Sequence, residues 1–135
     1  MNANVSSAMG AYKATKNHSA IEEASPHRLI TMLLDGALER VATANGAMGR
    51  GEISQSGENI GKAISIIDNL RVSLDKEQGG PIAENLSALY DYMTRRLLEA
   101  NATKDTEMLA EVAGLLREIK VAWDQVPADL HHASE

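Results

Sequence analysis

The chain of 135 residues has no cysteine and no phenylalanine, and only one tryptophan, three tyrosines and three prolines. Without cysteine there is no disulfide scaffold, no thiolate metal site and no cysteine nucleophile. The same absence fits a reducing compartment. Aromatic residues make up 3% of the chain, so the core must come from Leu, Ile, Val, Met and Ala, a composition that suits helix packing better than a β-sandwich. An excess of positive charge is also missing. The net charge is −6, and the basic residues are scattered, with Arg95 and Arg96 the only adjacent pair. Nucleic-acid binders need a positive face to displace counterions from phosphate, and anionic membranes ask for the same. Both partners are therefore set aside. Met1 to Ala11 carry neither a basic start nor an apolar run, so no signal peptide is expected. No stretch approaches the ~18 apolar residues that argue for a membrane span. The expected location is the cytosol.

What the chain does have is helical periodicity. Ser25 and Pro26 form an N-cap and first-turn signal. After them Leu29, Ile30, Met32, Leu33, Ala37, Leu38, Val41, Ala44 and Met48 recur at three-to-four spacing, up to a stop at Gly49-Arg50-Gly51. A second helix is expected from about Ile53 to Leu74, with the stripe Ile53, Gly57, Ile60, Ile64, Ile67, Leu70 and Leu74. Gly79-Gly80-Pro81 opens a third, carrying Ile82, Leu86, Leu89, Tyr90, Met93, Leu97 and Ala100, with Asp91 and Arg95 as an i,i+4 pair on its outer face. Asn101 to Thr106 interrupts the pattern, and Asp105 is the N-cap candidate for a fourth helix, with Leu109, Val112, Leu115, Leu116, Ile119, Trp123 and Val126 before the stop at Pro127. Residues 12–24 read as a short, weakly docked helix. The expected organisation is a mobile N-terminal segment and cap over 1–24, a bundle over 25–126 and a flexible tail over 127–135. Four helices of roughly 20 residues, about 30 Å each, joined by short links, predict an all-α, antiparallel up-down-up-down four-helix bundle with a short N-terminal capping helix.

A search for chemistry finds little. A di-metal bundle uses Glu-x-x-His, and no Glu here is followed by His three residues later. His18, His27, His131 and His132 read as plain surface histidines, none in mid-helix as phosphotransfer would require. Gly57 to Ala63 (GENIGKA) faintly resembles a phosphate loop, but it is one residue short between glycines and Ala63 stands where magnesium binding needs Ser or Thr. It reads instead as close helix packing or a local weakness of the helix. No enzyme and no cofactor are expected. Two features go beyond core. The run Ala63 to Ile67 makes an apolar arc too wide for one seam. The N-terminal segment has just enough apolar residues to lie over such a surface without locking there, a combination suited to helix-in-groove recognition.

Several stretches together carry a resemblance. Ala24 to Ala37 (ASPHRLITMLLDGA), Lys62 to Leu70 (KAISIIDNL), Leu74 to Leu86 (LDKEQGGPIAENL), Leu89 to Met93 (LYDYM), and Leu115-Leu116 through Ala122-Trp123 stand in an order and spacing that resembles the flagellar secretion chaperone FliS family over residues 12–126. Leu34 departs mildly from the Tyr or Phe frequent there. The resemblance implies an antiparallel helical bundle whose N-terminal segment caps an apolar groove. It also implies a cytosolic chaperone that binds the disordered C-terminal segment of flagellin, prevents premature polymerisation and helps deliver it to a component of the flagellar type III export gate. On that basis the expected flagellin-binding residues are Tyr12 and Ile21 as the cap, Ile60, Ile64, Ile67, Leu70 and Leu74 as the groove floor, and Leu86 and Tyr90 facing them. The expected assembly state is a monomer or weak homodimer. The alternative from another class is a phosphotransfer or coiled-coil adaptor bundle, which predicts no affinity for flagellin.

Overall fold

The computed structural model describes residues 25–74 and 76–126. They form four helices: α1 (Pro26–Gly49), α2 (Ile53–Val72), α3 (Lys76–Thr103) and α4 (Thr106–Asp124). No strand occurs among the described residues. The expected capping helix over 12–24 and the tail over 127–135 lie outside them.

The local signals explain most of the helix ends. The Ser25 hydroxyl accepts the Arg28 backbone N–H at 3.1 Å, and Pro26 occupies the first turn, where its missing N–H leaves nothing unpaired. α1 stops where Gly51 adopts φ 78°, which lets the Glu52 N–H return to the Ala47 carbonyl at 2.8 Å. α2 ends two residues before the expected Leu74, and the Ser73 hydroxyl caps the Leu70 carbonyl at 3.0 Å. In α3 a helical turn from Lys76 precedes the expected start, but Gly80 sits at φ 56°, ψ −134°, so unbroken helix begins at Pro81. Its other end outruns the expected break at Asn101 and reaches Thr103, followed by Lys104 at φ 57°. Asp105 caps α4 as its sequence position suggests, its carboxylate accepting the N–H groups of Glu107 (2.9 Å) and Met108 (3.3 Å).

Contacts between helices fix the topology. Arg40 of α1 donates to Asn59 of α2 at 3.2 Å. Arg71 near the end of α2 faces Asp91 midway along the unbroken part of α3, and Gly57 near the start of α2 lies beside Asn101 near the end of α3. Arg96 of α3 donates to Glu111 of α4 at 2.8 Å. Late α4 returns to early α1 through Lys120 and Asp35 at 3.2 Å, and late α1 meets early α4 through Asn45 and the Thr106 carbonyl. Each helix thus runs antiparallel to its chain neighbours and α4 closes on α1, giving the up-down-up-down bundle. The interior holds Leu34, Val41, Ile66, Met93, Leu97, Leu109, Val112 and Leu116, with no Phe and with Tyr90 as the one aromatic buried in it among the described residues.

Candidate functional site

The residues expected to form a groove on α2 and α3 separate into two depths. Ile60, Ile67 and Leu70 are 1% exposed and Tyr90 is 3% exposed; all four belong to the bundle core. Ile64, Leu74 and Leu86 are only half-buried and pack against that core from outside. The helical period explains the split. Ile60, Ile67 and Leu70 lie on the inward line of α2 with Ala63 and Ile66, whereas Ile64 is turned off it toward α3. The accessible apolar edge is therefore Ile64 and Leu74 on α2 with Leu86 on α3, and the strongly exposed Ile82 stands one turn beyond Leu86. Tyr12 and Ile21 lie outside the described residues.

Polar groups clasp this side of the bundle. Arg71 of α2 binds Asp68 on its own helix at 2.5 Å and reaches Asp91 of α3 at 3.5 Å. Asp91 therefore meets Arg71 across the seam rather than the expected Arg95, because a neighbouring helix brings a cation closer than its own next turn does. At the α3–α4 seam Glu111 accepts the Tyr92 hydroxyl at 2.6 Å and the Arg96 guanidinium at 2.8 Å. Those two donors, Tyr92 first, hold the Glu111 carboxyl below the ordinary glutamate range. Burial in the core pushes the Tyr90 phenol up to about 12.

Sequence reasoning missed one feature. His27, read as a plain surface histidine, is half-buried and stacks on Trp123, with ring centroids 4.9 Å apart and planes 13° from parallel. The Trp123 indole N–H donates to the His27 carbonyl at 3.0 Å, and His27 Nε2 lies 3.2 Å from the Trp123 carbonyl. This double clasp ties the start of α1 to the end of α4. The antiparallel order was the available signal, since it brings the first and last turns of the bundle together. Gly57 turns out not to mark a close approach: a Cβ there would meet only Asn101 Oδ1, at an ordinary 3.7 Å.

Among the described residues no group of three or more His, Asp or Glu gathers at metal-binding distance. No helix among them is long and apolar enough to cross a membrane. What the arrangement offers is an apolar edge backed by a rigid core, the kind of surface that binds another chain by burying apolar side chains.

Comparison with known proteins agrees with the resemblance noted in the sequence. The family model described as flagellar protein FliS matches residues 8–130. The chain is 50% identical over 119 residues to the flagellar secretion chaperone FliSB of Pseudomonas aeruginosa, covering 88% of this chain and 94% of that protein. It is 49% identical over 121 residues to flagellar secretion chaperone FliS of Salmonella typhimurium (89% and 90% covered) and 45% identical over 122 residues to that of Vibrio cholerae (90% and 90%). These are the names of chaperones and not of enzymes. With the family pattern spanning the whole bundle, the chain belongs to the flagellar protein FliS family.

Proposed function

We propose that this protein is a cytoplasmic export chaperone. It binds the disordered C-terminal segment of flagellin, keeps it from polymerising early and supports its delivery to the gate of the flagellar type III export apparatus. Family membership over nearly the entire chain carries this reading, since relatives at 45–50% identity are named flagellar secretion chaperones. The unit that binds is the bundle of residues 25–126, as a monomer or weak homodimer. Residues 1–24, with Tyr12 and Ile21, serve as an exchangeable cap, and 127–135 as a tail. Ile64, Leu74 and Leu86 make first contact with the client, and Ile60, Ile67, Leu70 and Tyr90 stand behind them.

The energetics fit such a role. A client that folds on binding loses roughly 2–5 kcal/mol to ordering. Each apolar side chain it buries returns about 1.5–3 kcal/mol, so a few anchors on a preformed template suffice. A cap that competes for the groove lowers apparent affinity in proportion to the time it is closed, which makes release at the gate feasible without a nucleotide. The deciding experiment is calorimetric titration with a soluble peptide spanning the flagellin C-terminal segment. The expected outcome is one-to-one binding tighter than about 1 μM, with a large negative heat-capacity change. A folded bundle that ignores a soluble client peptide overturns the reading.

A further inference from the structure

The two ends of the bundle are not closed alike. At one end the core runs almost to the helix termini: Met48 near the end of α1, Ser56 near the start of α2, Ala100 near the end of α3 and Leu109 near the start of α4 are all buried. At the other end α2 and α3 bury Leu70 and Ala83, but α1 and α4 bury nothing over residues 26–33 and 117–124. Those stretches are nonetheless apolar on their inward side. Ile30 and Leu33 stand one turn before the buried Leu34 and Ala37, and Ile119 and Trp123 continue the line of Val112 and Leu116. All four pack against the core and stay half-buried. The two stretches are neighbours, since the His27–Trp123 stack and the Lys120–Asp35 pair join them across the seam. This face is distinct from the Ile64–Leu86 edge, which belongs to α2 and α3.

We propose that the segment 127–135 seals this open end, with Leu130 seated between α1 and α4 on Ile30, Leu33, Ile119 and Trp123. The segment leaves α4 at the opening itself. Val126, half-buried, is held there by its N–H, which donates to the Trp123 carbonyl at 3.0 Å. Beyond it the sequence reads PADLHHASE, in which Leu130 is the single large aliphatic residue. Four residues of extended chain reach about 14 Å, more than the roughly 8–10 Å between the axes of packed helices, so Leu130 can cross from α4 to α1. Pro127 opens the segment with its φ already fixed, which lowers the entropy lost on docking. The family match also runs past the bundle, as far as residue 130. Residues 1–24 join α1 at the same end and are the rival occupant, but their Tyr12 and Ile21 are assigned above to the Ile64–Leu86 edge. Seated on α1 and α4, the tail leaves that edge uncovered, so sealing the core and receiving a client fall to different surfaces.

The test reads Trp123, the one tryptophan of the chain, in the full-length protein, through its fluorescence emission and its quenching by acrylamide, alongside thermal unfolding. Wild type is compared with Leu130→Asp, Leu130→Ala and Ile21→Asp. The expected result is that Leu130→Asp melts about 4 °C lower, as for the loss of one partly buried aliphatic contact in a domain of this size. Its Trp123 emission moves to longer wavelength and is quenched more readily. Leu130→Ala shifts the same readings the same way by less, and Ile21→Asp leaves Trp123 as in wild type. Trp123 unmoved by both Leu130 substitutions overturns the inference. An Ile21→Asp protein that exposes Trp123 as much as Leu130→Asp does also overturns it, and gives the open end to residues 1–24.

Discussion

The two halves of the bundle are built differently. α1 and α2 are the most closely packed pair, and small residues, Gly36, Ala37, Ala44 and Ala47 on α1 with Ser56 and Ala63 on α2, are buried among the larger Leu34, Val41, Met48, Ile60, Ile66, Ile67 and Leu70. Small side chains let two backbones approach, and a close approach leaves little between the helices that could be repacked. α3 meets α2 and α4 more sparsely. Its edges carry Leu86 and Leu89, half-buried and packed against the core, as are Ile64 of α2 and Leu115 and Ile119 of α4. Polar clasps hold those seams: Arg71 with Asp91 on one side, Tyr92 and Arg96 with Glu111 on the other. A wall locked by small residues provides rigidity. A wall of bulky, half-exposed aliphatics held by surface ion pairs, each worth at most about 1 kcal/mol, provides a place where another chain can enter.

The largest expected effect separates the halves directly. Leu34 of α1 is completely buried, and Leu34→Ala should cost about 2–5 kcal/mol of stability, the range for emptying a tightly packed site. Leu86 is half-buried on α3. Leu86→Ala should cost only about 1 kcal/mol of stability and weaken flagellin binding roughly fivefold. Urea unfolding of both variants together with calorimetry measures the contrast. If the two lose equal stability, the halves are equally closed and the comparison fails.

How the sequence foreshadows these halves follows from what each residue encodes locally. Helix count, order and caps were legible because Ser25-Pro26, the Gly49–Gly51 stop and Asp105 act through their own backbone. Period also placed Ile60, Ile67 and Leu70 on one inward line with Ile64 off it, but it could not say how much of Ile64 a neighbouring helix would cover, which depends on where α3 lies. The break at Gly80 was legible, but not the helical turn from Lys76 ahead of it. Partners on other helices were the least legible. Asp91 offers its charge equally to Arg95 and to Arg71, and only the packed seam decides. His27 and Trp123 stand 96 positions apart and look unrelated until α4 returns beside α1. For Tyr12 and Ile21, the proposed cap, the resemblance to the family is the support.

A smaller effect, of opposite sign, sharpens the comparison on α2, the helix shared by both halves. Gly61 lies inside the helix on its exposed face, and a Cβ there would meet nothing within 4 Å. Gly61→Ala should therefore stabilise the protein by about 0.5–1 kcal/mol, through helix propensity and a less disordered unfolded chain. Thermal unfolding reads the gain and calorimetry reads the client. Unchanged affinity confines binding to the Ile64–Leu86 edge. A gain in stability paired with weaker binding extends the client's footprint along the glycine face of α2 and moves the open wall outward.

The smallest effect tests whether the α3–α4 seam is held by the clasp assigned to it. Tyr92 and Arg96 both donate to Glu111, and the Tyr92 hydrogen bond is the larger cause of the lowered Glu111 pKa. A carboxyl whose pKa is lower folded than unfolded adds stability that is complete above its unfolded value of about 4.3 and vanishes as pH falls through the folded one. Tyr92→Phe removes the larger donor and returns Glu111 toward its ordinary range. The variant should be slightly less stable than wild type at pH 7, and the gap should close between about pH 5 and pH 3. Its size is modest, because the Glu111 carboxylate is 38% exposed and water screens it. Chemical denaturation of both proteins across that range measures the gap. The absence of a gap at any pH would mean that Tyr92 acts through its ring, which the variant keeps and which packs under Arg96 with the guanidinium carbon 5.9 Å from its centroid. In that case α3 is held by contact area, as α1 is, and the difference between the two walls is one of degree.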